Sequence, residues 1–111
     1  FWATWCKPCI EEMPVLESVN DNTDTKVLLV SMDFASQQEL VNQFVDRKKL
    51  KSEVVLLDET DYDSWIPKID SSWSGAIPAT LIVNNSTHKR AFLEGSITNE
   101  VLLEKIEQTK K

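Results

Sequence analysis

The chain is poor in the residues that carry several large classes of function. Only 2 of its 111 residues are glycine, and glycine-rich phosphate cradles consume several each, so a nucleotide loop of that type is excluded. It has one His and two Cys, too few soft ligands for a structural zinc site built from two Cys or His pairs. Its apolar runs, such as Val27 to Val30, reach no more than four residues, far short of the roughly 20 that span a bilayer. Positive charge is also scarce: 12 Lys and Arg stand against 18 Asp and Glu, for a net charge of −6. That balance argues against a partner made of nucleic acid or anionic lipid. Hydrophobic residues supply 41% and charged residues 27%, the composition of an ordinary globular chain with one continuous core.

Phe1-Trp2-Ala3-Thr4 reads as the end of a strand. The chain is accordingly read as one domain over residues 1–111, N-terminally incomplete, with strand residues and any targeting signal expected upstream. Ile10, Met13, Leu16 and Val19 recur every three residues, while Glu11, Glu12 and Glu17 point elsewhere. This spacing predicts an amphipathic helix over 7–20, kinked at Pro14. Lys26 to Asp33 contains Val27-Leu28-Leu29-Val30, the pattern of a strand buried on both faces. Ser36 with Glu39 predicts a capping box, opening a helix striped by Leu40, Val41, Phe44 and Val45 to about Leu50. Val54 to Leu57 is a short strand, and Tyr62 to Ile69 holds a turn or two of helix before Pro67 interrupts it. After a loop at Ser71 to Ala76, Ala79–Val83 and Arg90–Leu93 read as a hairpin around the polar turn Asn84–Thr87. Thr98 then caps a helix striped by Leu102, Leu103 and Ile106. Helices alternating with strands imply an α/β fold with a largely parallel sheet and an antiparallel edge.

Chemistry concentrates at Cys6-Lys7-Pro8-Cys9, where the first strand gives way to the first helix. Unpaired N–H groups and the positive end of the macrodipole favour an anion there, so a Cys6 thiolate is stabilised over its thiol. Lys7 adds a positive charge, screened by water, and Pro8 pre-sets the helix start. Cys9 lies one turn further in, within reach of a mixed disulfide formed at Cys6. Three readings compete for the pair: a redox couple, half of a metal site, or two incidental thiols. His88 is the only further soft ligand and sits in the hairpin turn, and Ile10 stands where a haem-attachment motif has His. The strand-to-helix setting and the flanking Trp residues favour the redox couple.

The segment from Phe1 to Pro14, with its W-C-x-P-C-x-x-E-x-P pattern, resembles the active-site segment of the thioredoxin superfamily, and within it the TlpA/ResA-type thiol–disulfide oxidoreductases. Gly75-Ala76-Ile77-Pro78-Ala79-Thr80 is similar to that superfamily's cis-proline loop, and Ser72 to Pro78 looks like the versions of Bacteroidetes members. The resemblance implies a thioredoxin-like fold, a central mixed sheet flanked by helices, and a protein-disulfide reductase that needs no cofactor or metal beyond the Cys6–Cys9 disulfide. It implies Cys6 as nucleophile, Cys9 as resolving thiol and Glu12 as a proton-shuttling acid; a solvated helix face is the rival reading of Glu12. Pro78 would be cis, and with Ile77 would form a ledge for an extended client segment. Trp5, Lys7, Pro8 and Trp73 would complete the client-binding surface. The implied partners are protein thiols and disulfides and a membrane or soluble redox partner for recycling, with no nucleic acid, in a periplasmic or extracytoplasmic setting. Lys7-Pro8 departs from the Gly-Pro of thioredoxins, and their buried Asp would lie one position upstream of Phe1. Two rival functions are a peroxiredoxin-like peroxidase and a docking or metal-handling module.

Overall fold

The computed structural model describes all 111 residues, and its sheet is organised around the first two. Trp2 pairs in parallel with Ser31, its N–H donating to Val30 O at 3.0 Å while its own carbonyl accepts from Met32 N–H at 2.7 Å. Phe1 exchanges two main-chain bonds with Ala79, at 2.7 and 3.3 Å, the pattern of an antiparallel hydrogen-bonded pair. Strand β1 (Leu28–Ser31) pairs in parallel with β2 (Glu53–Leu56), and β3 (Ala79–Asn84) pairs antiparallel with β4 (Lys89–Glu94). The order across the sheet is therefore β2, β1, Phe1–Trp2, β3, β4, a mixed sheet with its antiparallel pair at one edge. Beyond Phe1 the sheet opens into a cavity of about 340 Å³ between β1 and β3, lined by 20 residues of which 15 are hydrophobic.

Four helices flank the sheet: α1 (Lys7–Asn22), α2 (Gln38–Lys48), α3 (Tyr62–Ile69) and α4 (Asn99–Thr109). Trp2, Cys6, Cys9, Met13, Leu29, Val41 and Phe44 form one core cluster, with the Trp2 and Phe44 rings 5.2 Å apart. Val19, Ile82, Leu102 and Ile106 form a second, where α1 and α4 meet β3. Removing a large side chain from either core costs about 2–5 kcal/mol. No helix is long and apolar enough to cross a membrane.

Several local expectations are corrected. The run Val27–Val30 is buried on one face only: Leu29 is 3% exposed, whereas Leu28 is 52% exposed and lines the cavity between β1 and β3. The Ser36–Glu39 capping box does not form. The chain enters α2 through a 3₁₀ turn (Ala35–Gln37), so Ser36 falls short of the cap position, and Gln37 caps without a side-chain bond. Pro67 does not end α3, which runs to Ile69; it is the sixth of eight residues, and only two helical residues follow the bond it removes. Helix α1 runs through Pro14 as expected and extends two residues beyond 20 to Asn22, and Thr23 closes it by donating N–H and Oγ–H to Val19 O. Thr98 does cap α4, accepting from Val101 N–H at 3.2 Å.

Candidate redox site

Cys6 is the N-cap of α1, in extended conformation, and Lys7 and Pro8 open the helix. The Cys6 sulfur accepts from the Cys9 N–H at 3.3 Å, so an orphan donor of the first turn is spent on the position where a thiolate would form. The two cysteines are joined as a disulfide, S–S 2.14 Å, Cα–Cα 5.3 Å. Cys6 is 5% and Cys9 1% exposed, so the first lies nearer the surface. Trp5, beside them, is 70% exposed. Lys7 extends into solvent, 4.0 Å from Glu11 one turn on, a separation at which an exposed pair contributes little.

The loop ending in the cis Ile77–Pro78 peptide bond faces the pair, with the Ile77 carbonyl 3.8 Å from Cys6 Sγ. Three supports hold this loop. Trp73 donates its indole N–H to Ala76 O at 2.8 Å and packs among Phe1, Trp65 and Phe92. Glu94 accepts from Ser74 N–H and Oγ–H, both at 2.7 Å, and Gly95 N–H donates to Pro78 O at 2.8 Å. Gly75 has φ +96°, and a Cβ there would sit 3.3 Å from Ile66 Cδ1, so the bend requires glycine. Trp73 is therefore a buried support of the loop; the expectation that it lines an open groove is not met, because its ring is enclosed by other aromatics. Pro78 is buried, whereas Trp5, Lys7 and Pro8 are exposed beside the disulfide.

Glu12, grouped by helical spacing with outward-pointing acids, is buried. It is 5% exposed and neither carboxylate oxygen has a hydrogen-bond partner. It lines the cavity between β1 and β3 together with Cys9, Phe1 and Pro78. Burial raises its pKa from 4.5 to about 7, against the pull of the nearby Phe1 ammonium. Burial in turn lowers the Phe1 ammonium to about 6, which Glu12 opposes. A carboxyl titrating near neutrality, i+3 from Cys9, can hold or release a proton at the buried thiol.

Sequence reasoning missed two residues of this region. Asp33 is 3% exposed and accepts from both the N–H and the hydroxyl of Thr4; Glu94 holds the proline loop. Each acts across 20 or more positions of sequence, and no local pattern marks either.

Comparison with known proteins gives a consistent family. The Thioredoxin family model matches residues 1–48. The thiol-disulfide oxidoreductase ResA of Geobacillus thermodenitrificans is 24% identical over 111 residues, 99% of this chain and 60% of that protein. ResA of Bacillus cereus is 30% identical over 104 residues, 92% of this chain and 56% of that one. The thioredoxin-like protein YneN of Bacillus subtilis is 42% identical over 43 residues, 39% of this chain and 25% of that protein. The chain thus spans 60% or less of these curated relatives. Among solved structures, a thioredoxin-related protein from Neisseria meningitidis serogroup B superposes with TM-score 0.80 at 16% identity, covering 98% of this chain and 80% of that one. That likeness establishes the thioredoxin-like fold. Over nearly its whole length the chain is similar to thiol-disulfide oxidoreductases of the ResA type, its first 48 residues match the Thioredoxin family model, and its fold is thioredoxin-like.

Proposed function

We propose that this protein is a thiol–disulfide oxidoreductase acting as a disulfide reductase on exported proteins. The observation that carries the reading is the Cys6–Cys9 disulfide at the start of α1, with Cys6 as N-cap and the Ile77 carbonyl 3.8 Å from its sulfur. In the reduced protein, the Cys6 thiolate attacks one sulfur of a client disulfide, forming a Cys6–client mixed disulfide and releasing the other client sulfur as thiolate. Cys9 then gives up its proton and attacks Cys6 Sγ. The Cys6–Cys9 bond forms, the bond to the client breaks, and the client leaves as a dithiol. Glu12 takes the Cys9 proton in this second step. The exposed Trp5, Lys7 and Pro8 meet the client, and Ile77 with Pro78 pairs with its extended backbone. The electrons are carried by the cysteines alone, and a dithiol redox partner returns two electrons per cycle. Client disulfides persist outside the reducing cytosol, so an extracytoplasmic setting suits the activity.

The test is trapping. Cys9→Ser should accumulate a stable mixed disulfide with a disulfide-bonded client protein, visible as a reducible mass adduct on Cys6. Cys6→Ser should abolish exchange altogether. Exchange that survives Cys6→Ser would sink the assignment.

We also propose that residues 1–111 form one thioredoxin-like unit whose central strand continues upstream of Phe1. The apolar cavity between β1 and β3 supports this, because Phe1 and Trp2 already pair with both of its walls at one end. A further extended segment would run between the two strands, parallel to β1 and antiparallel to β3.

A further inference from the structure

Asp33 lies two residues past β1, and its carboxylate meets only donors. The Thr4 N–H is shared between Oδ1 at 3.3 Å and Oδ2 at 3.0 Å, and Thr4 Oγ donates to Oδ1 at 2.6 Å. Ser31 Oγ donates to Oδ2 at 2.6 Å and accepts the Asp33 N–H at 3.1 Å. Ser31 is fully buried and Asp33 is 3% exposed. An ionised carboxylate, acceptor at every lone pair, satisfies all of these partners at once, and charge-assisted bonds of this kind are about twice as strong as neutral ones.

The placement of the clamp gives it a consequence for chemistry. Thr4 opens the turn that carries Trp5 and delivers Cys6, a turn closed by its own Cys6 N–H to Ala3 O bond at 3.1 Å. Cys6 must sit at the N-cap for its sulfur to receive the Cys9 N–H and to face the Ile77 carbonyl. The residues before it are therefore fixed from two sides, by the sheet through Trp2 and by Asp33 through Thr4.

We infer that Asp33 is a positioning residue for the exchange reaction, holding the Thr4–Cys6 turn so that the nucleophilic sulfur stays at the helix N-terminus, aimed at an incoming disulfide. This rests on the exchange reading above. Asn at position 33 keeps the shape but replaces one acceptor oxygen by a donor, so the turn loses part of its anchorage. Misplacement of a reacting atom by even about 1 Å can cost on the order of a hundredfold in rate.

The experiment measures the second-order reaction of the reduced protein with 5,5′-dithiobis(2-nitrobenzoate), at the high-pH plateau where Cys6 is fully thiolate. Folding of each variant is checked by far-UV circular dichroism. At the plateau a changed thiol pKa cannot alter the rate, so the constant reports how the sulfur is presented. Asp33→Asn should lower the plateau constant at least tenfold, and Thr4→Val, which lacks the hydroxyl, about threefold. The double variant should be no slower than Asp33→Asn alone, because both changes cut one linkage. A folded Asp33→Asn that reacts at the parental rate, even with a lowered Tm, overturns the inference and shows a role in stability alone. Losses that multiply in the double variant also overturn it. Should Asp33→Asn not fold, Thr4→Val decides: a parental rate in that folded variant is a refutation. A parent protein that does not react at all defeats the exchange reading itself, and this inference with it, a result distinct from an active parent with unaffected variants.

Discussion

Glu12 is the residue at which burial and charge oppose each other most directly. Its folded pKa of about 7 lies above its ordinary 4.5, so the folded state holds the proton more tightly than the unfolded chain does. The associated stability is complete below about pH 4.5 and is lost as pH rises to about 7. In a chain that starts at Phe1, its amino group acts in the opposite sense between about pH 6 and 8. Glu12 is therefore isolated as a difference between two proteins. Glu12→Gln, which cannot ionise, should gain stability relative to the parent across pH 4.5–7, as followed by urea midpoints at half-unit steps. A gap that stays constant with pH would show that folding leaves the Glu12 pKa unchanged and would contradict the raised value. Cys6 and Cys9 were legible in the sequence because their chemistry depends on three-residue spacing at a helix start, a local matter. The burial of Glu12 was not, because helical spacing cannot tell that the wall beside this face is the cavity between β1 and β3 rather than water. Asp33 was illegible for a related reason: its partner is Thr4, 29 residues away.

Among the elements, the strands and the final helix were readable from short apolar runs, the polar hairpin turn and the Thr98 cap. The departures have specific causes. Ser36 and Glu39 have the spacing of a capping box, but the 3₁₀ turn moves the helix start to Gln38. Pro67 sits inside α3, which nonetheless runs two residues further to Ile69. The end of α2 rests on Lys49 at φ 54°, a left-handed position with no glycine to announce it. The first strand is the element with most to test. Phe1 and Trp2 hold β1 and β3 together at one end, and the apolar walls beyond them stand open. Adding roughly four β-branched residues before Phe1, at about 3.4 Å per residue, should raise Tm by more than about 5 °C. The same extension carrying proline at alternate positions, which removes ladder donors, should not. Equal effects from both, or none from either, would contradict a continuing central strand.

At the scale of the molecule, the fold gathers four separate stretches of sequence around one disulfide. The helix start supplies Cys6 and Cys9, the proline loop supplies the Ile77 carbonyl, β4 pins that loop through Glu94, and the end of β1 sends Asp33 to the turn before Cys6. The fold class followed from element order and the two motifs, whereas these cross-links required the packed sheet. The net charge of −6 leaves Lys7 as an exposed cation beside a disulfide in an otherwise acidic chain. The central claim is that Cys6 and Cys9 form a reversible two-electron couple. The most direct test is a glutathione or dithiothreitol redox titration of the protein, followed by tryptophan fluorescence, since Trp5 adjoins the pair. The account predicts one reversible transition with two-electron slope, at a potential below about −230 mV as suits a reductant, and absent from Cys6→Ser. A titration without a reversible transition would contradict it, and a midpoint above about −180 mV would contradict the assignment as a reductase.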